Sequence, residues 1–78
     1  MNCYKREMPE PGQLWKHFKG NVYRIVCIAE DTENLNPVVV YQDVKDMNYW
    51  TRSLWIFISE VDHKKYPEVT KKWRFERI

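Results

Sequence analysis

Glycine is scarce in this chain, with 2 residues, and cysteine is equally scarce, with 2. So few glycines leave no room for the Gly-rich loops that cradle phosphates with backbone N–H groups. Cys3 sits in a polar segment and Cys27 in an apolar run, far from the dense disulfide framework of small secreted domains. Both are read as reduced thiols. Long apolar runs are also missing. The longest, residues 37–41 and 54–58, are far below the roughly 20 residues a membrane helix needs. Residues 1–11 are charged and proline-bearing, with no apolar signal region. The expectation is a cytoplasmic protein that does not enter a membrane.

Catalytic and metal-binding constellations are equally hard to find. The two histidines, His17 and His63, have no Cys, Ser or acidic neighbour spaced for zinc binding or nucleophilic attack. An apolar strand is not expected to give the Cys27 thiol the positive, exposed surroundings that a reactive thiolate requires. Glu30, Asp31, Glu33 and Asn34 could offer oxygens to a hard cation. Their spacing is not that of a calcium loop, and no glycine supplies its sharp turn. No metal or cofactor is therefore expected, and a binding module is favoured over an enzyme.

What the chain does have is aromatic surface: 4 Trp, 5 Tyr and 3 Phe in 78 residues. A domain this short buries a modest fraction of its surface, so large rings are the natural way to build its core. Net charge is only +2, but it is unevenly spread. Residues 1–29 and 63–78 are basic overall, and residues 30–62 are acidic. The simplest arrangement pairs the two basic ends as neighbouring strands, opposite an acidic loop.

Residues 1–10 lack periodicity and read as a loose arm; residues 11–78 read as a single domain. Residues 13–19 fit a first strand, and Gly20-Asn21 a turn. Residues 22–29 are rich in β-branched and aromatic residues, making the clearest strand in the chain. Both of its faces are largely apolar, as where a strand curls through a small barrel. A polar stretch at 30–37 reads as a loop, with further strands at 38–42 and 49–52. Leu54, Phe57 and Ile58 fall at helical spacing after Ser53, which predicts one helical turn before a short extended piece at 60–62. A loop around Pro67 leads to a last strand at 72–78, with Trp73 and Phe75 inward. No internal repeat is evident. This pattern predicts an all-β fold: a small SH3-like, partly open five-stranded barrel with one short helical turn. An open sheet packed on a helix at 52–62 is the competing architecture.

Pro11-Gly12, His17-Phe18-Lys19-Gly20, Tyr23, Ala29, Val39-Val40-Tyr41, Trp50, Arg52 and Phe57 follow one another in a telling order. Together they resemble a short bacterial family, the domain of unknown function 1653 (DUF1653), from Pro11 to about Val61 and more loosely to Trp73-Arg74-Phe75. No single piece is specific; the order and spacing carry the resemblance. The family's His-Ser-Glu-Thr is replaced here by Asp31-Thr32-Glu33-Asn34, its proline after the arginine by Ser53, and a methionine by Ile56. Membership implies no activity, since the family's name records none.

Three functional readings follow. In the first, a non-catalytic recognition module grips a peptide or protein partner through an aromatic face with Arg52. Strand alternation puts Trp50 on the same face as that guanidinium. In the second, Lys16, Lys19, Lys71, Lys72, Arg74 and Arg77 around Trp73 bind nucleic acid. The third gathers His17, Tyr23, Glu33, Tyr41 and Arg52 into one concave ligand or catalytic site. The surplus of rings also makes a dimer plausible.

Overall fold

The computed structural model describes residues 6–78. It is mainly β: strands β1 (Leu14–His17), β2 (Val22–Glu30), β3 (Pro37–Asp43), β4 (Tyr49–Ser53) and β5 (Phe75–Arg77), with one helical turn, α1 (Leu54–Phe57), before the last. Every pairing is antiparallel, and the strand order is β4-β3-β2-β1-β5. The two basic ends do pair, with His17 opposite Phe75 and Trp15 opposite Arg77. Cys3 and the first half of the expected arm lie outside the described residues. Residues 6–10 lie against the sheet: Met8 packs on the core, and the Arg6 guanidinium donates to the carbonyls of Ile58 and Phe75.

The sheet is strongly curled. In a flat sheet β4 and β5 would stand roughly 19 Å apart, at about 4.8 Å per strand. Here the Arg52 guanidinium on β4 lies 5.5 Å from the ring centroid of Phe75 on β5. Curvature is helped by a bulge in β2, where the register shifts between Ile25 and Cys27. The extra residue reverses which side chains face inward. That is why Ile25 before the bulge and Ile28 after it share the β3-facing side with Tyr41 and Val39. It also explains why β2 is apolar on both faces.

Between the two edges, α1 carries Phe57 across to β5. Residues 59–61 then run beside residues 72–74: Arg74 N–H donates to the Ser59 carbonyl, and Val61 N–H to that of Lys72. The extended piece expected at 60–62 is thus a single bridge, Glu60 opposite Trp73. The last strand is correspondingly shorter than its alternating sequence predicts. The core is built from rings, as the composition requires. Phe57 and Phe75 stack at 4.0 Å and 10°, with Trp15, Tyr41 and His17 set edge-on around them.

The turns β2–β3 and β3–β4 share one six-residue pattern. Asp31-Thr32-Glu33-Asn34-Leu35-Asn36 and Asp43-Val44-Lys45-Asp46-Met47-Asn48 each open on an aspartate and close on an asparagine. The opening carboxylate accepts a backbone N–H two residues on, from Glu33 at 2.8 Å and from Lys45 at 2.7 Å. The fifth residue donates back to the first carbonyl and adopts positive φ, 59° at Leu35 and 67° at Met47. The acidic loop is therefore turn chemistry, with the Asp31 carboxylate held by its own backbone. Leu35 is 70% exposed and has little packing to lose. Leu35→Gly should raise stability by about 0.5–1 kcal/mol, because a left-handed backbone costs a β-carbon more than it costs glycine. A urea midpoint that falls in this variant would contradict the assignment of strain.

Candidate functional site

A cleft of about 280 Å³ opens where the end of β1, the middle of β4 and the 62–74 connection meet. His17, Phe18 and Lys19 form one side, and Arg52 closes the second. Asp62, Lys65, Tyr66 and Arg74 supply the rest. Four cationic side chains thus face one carboxylate. Asp62 Oδ1 in turn accepts the backbone N–H groups of Lys64 and Lys65, so this oxygen helps build the 62–66 turn. Among the described residues the one ion pair is Arg77 with Glu7, which lies outside this lining.

Each arginine is fixed by its Nε–H on a hydroxyl. Arg52 Nε donates to the Tyr41 hydroxyl at 3.2 Å, and Arg74 Nε to Ser59 Oγ at 3.3 Å. A neutral partner orients a guanidinium without cancelling its charge. Arg52 is further held by the Phe75 ring beneath it, a cation–π contact at the top of the core. Tyr41 is buried and its ring meets Tyr23 edge-on at 4.9 Å, so this phenol is a rigid post for the arginine.

His17 responds to the same field. Its Nδ1 accepts the Lys19 backbone N–H at 3.1 Å, which leaves the ring proton on Nε2. Burial, then the charges of Arg52, Lys19 and Arg74, lowers its pKa from 6.5 to about 4. The Lys19 ammonium, 4.9 Å from the centroid of the Tyr66 ring, holds that phenol below its ordinary value, with Lys65 adding to the effect. Positive charge contributes to both shifts, second to burial at His17 and through Lys19 first at Tyr66.

The His17 shift makes stability depend on pH in a defined direction. Between pH 6.5 and about 4 the unfolded chain takes up a proton that the folded ring refuses. Stability is therefore complete above pH 6.5 and falls as pH drops through that window. The loss should be roughly 1–2 kcal/mol, because solvent around a half-exposed ring screens the charges. Urea melts at several pH values would measure it against His17→Asn, whose amide oxygen can keep the bond to Lys19. Equal pH slopes in the two proteins would remove His17 as the cause.

The residues singled out from sequence are distributed unevenly. His17 and Arg52 line the cleft, and Tyr41 and Tyr23 support it from beneath. Glu33 does not join them: it is exposed in the β2–β3 turn, beyond the Glu30–Pro37 pair, whereas Tyr23 pairs with Asp43 at the other end of the hairpin. Trp50 pairs with Tyr41 and Arg52 with Val39, so both lie on the inner face of β4, and Trp50 remains 51% exposed. The basic set divides. Lys19 and Arg74 belong to the cleft, while Lys16, Lys71, Arg77 and Trp73 line a second groove of about 180 Å³. Lys72 lies over the Trp73 ring at 4.9 Å, and Arg6 lies 4.4 Å from the same ring. Phe18 borders both cavities.

Sequence reasoning singled out neither Lys65 and Tyr66, in the stretch expected to be a loop, nor Asp62, at the end of the extended piece expected at 60–62. One local signal was available: Asp62 opens its turn much as Asp31 and Asp43 open theirs. Among the described residues no group of three or more His, Cys, Asp or Glu side chains is placed to hold a metal ion. None of the helices described is long and apolar enough to cross a membrane.

A small curled β domain with a cationic cleft is the class that these features define. Residues 13–77 match the family described as "Protein of unknown function (DUF1653)", and the chain belongs to that family. The match covers nearly the whole chain, including every residue of the cleft. Comparison with curated proteins finds no match, and comparison with solved structures finds none either.

Proposed function

We propose that this domain is a non-catalytic recognition module, working in a bacterial cytoplasm, that holds an anionic group of its partner between His17, Arg52 and Arg74. The carrying observation is the pair of arginines anchored by Nε to the Tyr41 and Ser59 hydroxyls. Their outer nitrogens are oriented in advance, so little side-chain entropy is lost when an oxyanion arrives. Hydrogen bonds from a charged donor to phosphate or carboxylate oxygens are roughly twice as strong as neutral ones. Lys19 and Lys65 add charge on flexible stems, and the neutral His17 can donate from Nε2. Fixed cations and a neutral imidazole suit holding rather than turnover. Trp50 and the rings around the cleft give a partner apolar surface to lie on, whether it is a peptide, a protein or a nucleic-acid strand.

Inorganic phosphate is the simplest probe. Titrated into the labelled protein and followed by nuclear magnetic resonance, it should shift the Nε–H signals of Arg52 and Arg74 and the His17 ring protons together. Shifts confined to other lysines, or none at tens of millimolar phosphate, would end this reading.

A further inference from the structure

The cleft does not stand alone. Its Phe18 wall is also a wall of the second groove, whose cations include Lys16 and Lys71. We propose that this face binds single-stranded nucleic acid, with one backbone phosphate in the Arg52–Arg74 cleft, further phosphates along Lys16 and Lys71, and an unpaired base against Phe18. The inference rests on the anion-binding reading above and names what carries the anion.

Charge complementarity selects the occupant. A ligand with a single acidic group would fill the cleft and leave the groove's cations unmatched. A polyanion with regularly repeated charge satisfies both. Between the two sites stands an aromatic ring, not another charge, and a nucleic-acid strand alternates charge with flat apolar surface in the same way. Stacking of a base on an aromatic side chain contributes about 1–3 kcal/mol and tolerates any sequence, since every base has a π-face. A duplex keeps those faces stacked within itself and could use the charge alone.

The geometry also says which residues do not serve. Arg77 is ion-paired with Glu7, and Glu76 shares the groove, so Lys16 and Lys71 are its effective cations. Trp73 already has the charged ends of Arg6 and Lys72 against its ring. Phe18 has His17 at 4.4 Å, Tyr66 in a T-shaped contact at 5.2 Å and a single, more distant cation, Lys19 Nζ at 5.9 Å, and its ring still borders both cavities. It is the better platform.

Fluorescence anisotropy with a labelled ten-nucleotide oligo(dT), its duplex and a deca-glutamate peptide tests the idea, run beside the phosphate titration. The single strand should bind at least tenfold more tightly than either competitor. Its affinity should fall with salt at a slope of about −0.7 per phosphate engaged. Lys71→Gln, at an exposed position, should lower that slope by about 0.7. Phe18→Leu, which keeps apolar volume, should weaken the strand about tenfold. Thermal melts check both folds, and the lysine variant keeps the test decisive if Phe18→Leu unfolds. Phosphate shifts in the cleft with the peptide bound as tightly as the strand, or with the duplex bound equally, would overturn the nucleic-acid assignment and leave the anion site standing. Absence of phosphate shifts at Arg52 and Arg74 would remove both.

Discussion

Phe75→Ala is expected to lower stability by about 3–5 kcal/mol, the range for deleting a fully buried aromatic ring. Phe75 is 0% exposed, stacks face to face on Phe57 at 4.0 Å, and meets the rings of His17, Tyr23 and Tyr41 at 4.8, 5.9 and 5.8 Å. Among the described residues no other ring touches so many partners, so the cavity left behind has little chance to collapse. A domain of 78 residues has about 4–12 kcal/mol of stability in total, at about 0.05–0.15 kcal/mol per residue. The substitution therefore removes a large share. The urea midpoint should fall by at least about 1 M, since a chain this size loses roughly 1–2 kcal/mol of stability per molar urea. A shift of a few tenths of a molar would mean that the ring stack is not the centre of the core. Phe75→Leu should cost less, and the difference between the two variants isolates what the flat face contributes.

Phe75 also ties the core to the cleft. The same ring that stacks inward on Phe57 carries Arg52 above it and His17 at its edge. Stability and site geometry consequently share a residue. Partial loosening of the core should spread to the anion site before the fold is lost.

The sheet was legible in the sequence because its signal is local. β2 and β3 are dense in valine, isoleucine and tyrosine, and the hairpin between them is a short polar turn. The two basic ends pair despite their like net charge, helped by Lys16 standing opposite Glu76. The piece at 60–62 and the length of the last strand were misjudged for one reason. Alternation marks which residues can face inward, but a ladder needs a partner of equal length, and the partner of residues 72–74 is only the short stretch 59–61. The cleft was the least legible part. Its walls come from 17–19, from 52, from 62–66 and from 74, and only the curl of the sheet brings β4 across to β5. Arg52 and His17 could be picked out individually, since they belong to the family-like pattern. Lys65 and Tyr66 gave no warning, because a lysine-rich turn reads as solvated until its neighbours are known. Glu33 was drawn into the site by its chemistry, although the hairpin places it beyond the reach of Tyr23.

Arg52→Met should weaken phosphate binding by about 10- to 150-fold, the equivalent of the 1.5–3 kcal/mol a charged hydrogen bond contributes. Methionine matches the length of the arginine stem and can rest its sulfur on the Phe75 ring, so packing over the core is largely kept. What disappears is the charge, its fork of donors and the bond to the Tyr41 hydroxyl. Stability should drop by only about 1 kcal/mol, the usual value of one such bond. Arg52→Lys separates the two contributions. It keeps the charge but lacks the fork, and its affinity should fall between those of the parent and the methionine variant. Lys65→Met, at an exposed position on a flexible stem, should cost only a fewfold. His17 supplies a readout independent of ligand: Arg52 is one of the charges that hold its pKa near 4, so the value must rise in Arg52→Met, still short of 6.5 because burial remains. An unchanged His17 titration would show that the guanidinium does not face the imidazole. Phosphate affinity within twofold of the parent would show that the cleft holds its anion without Arg52, and the proposed site would have to be redrawn around the lysines.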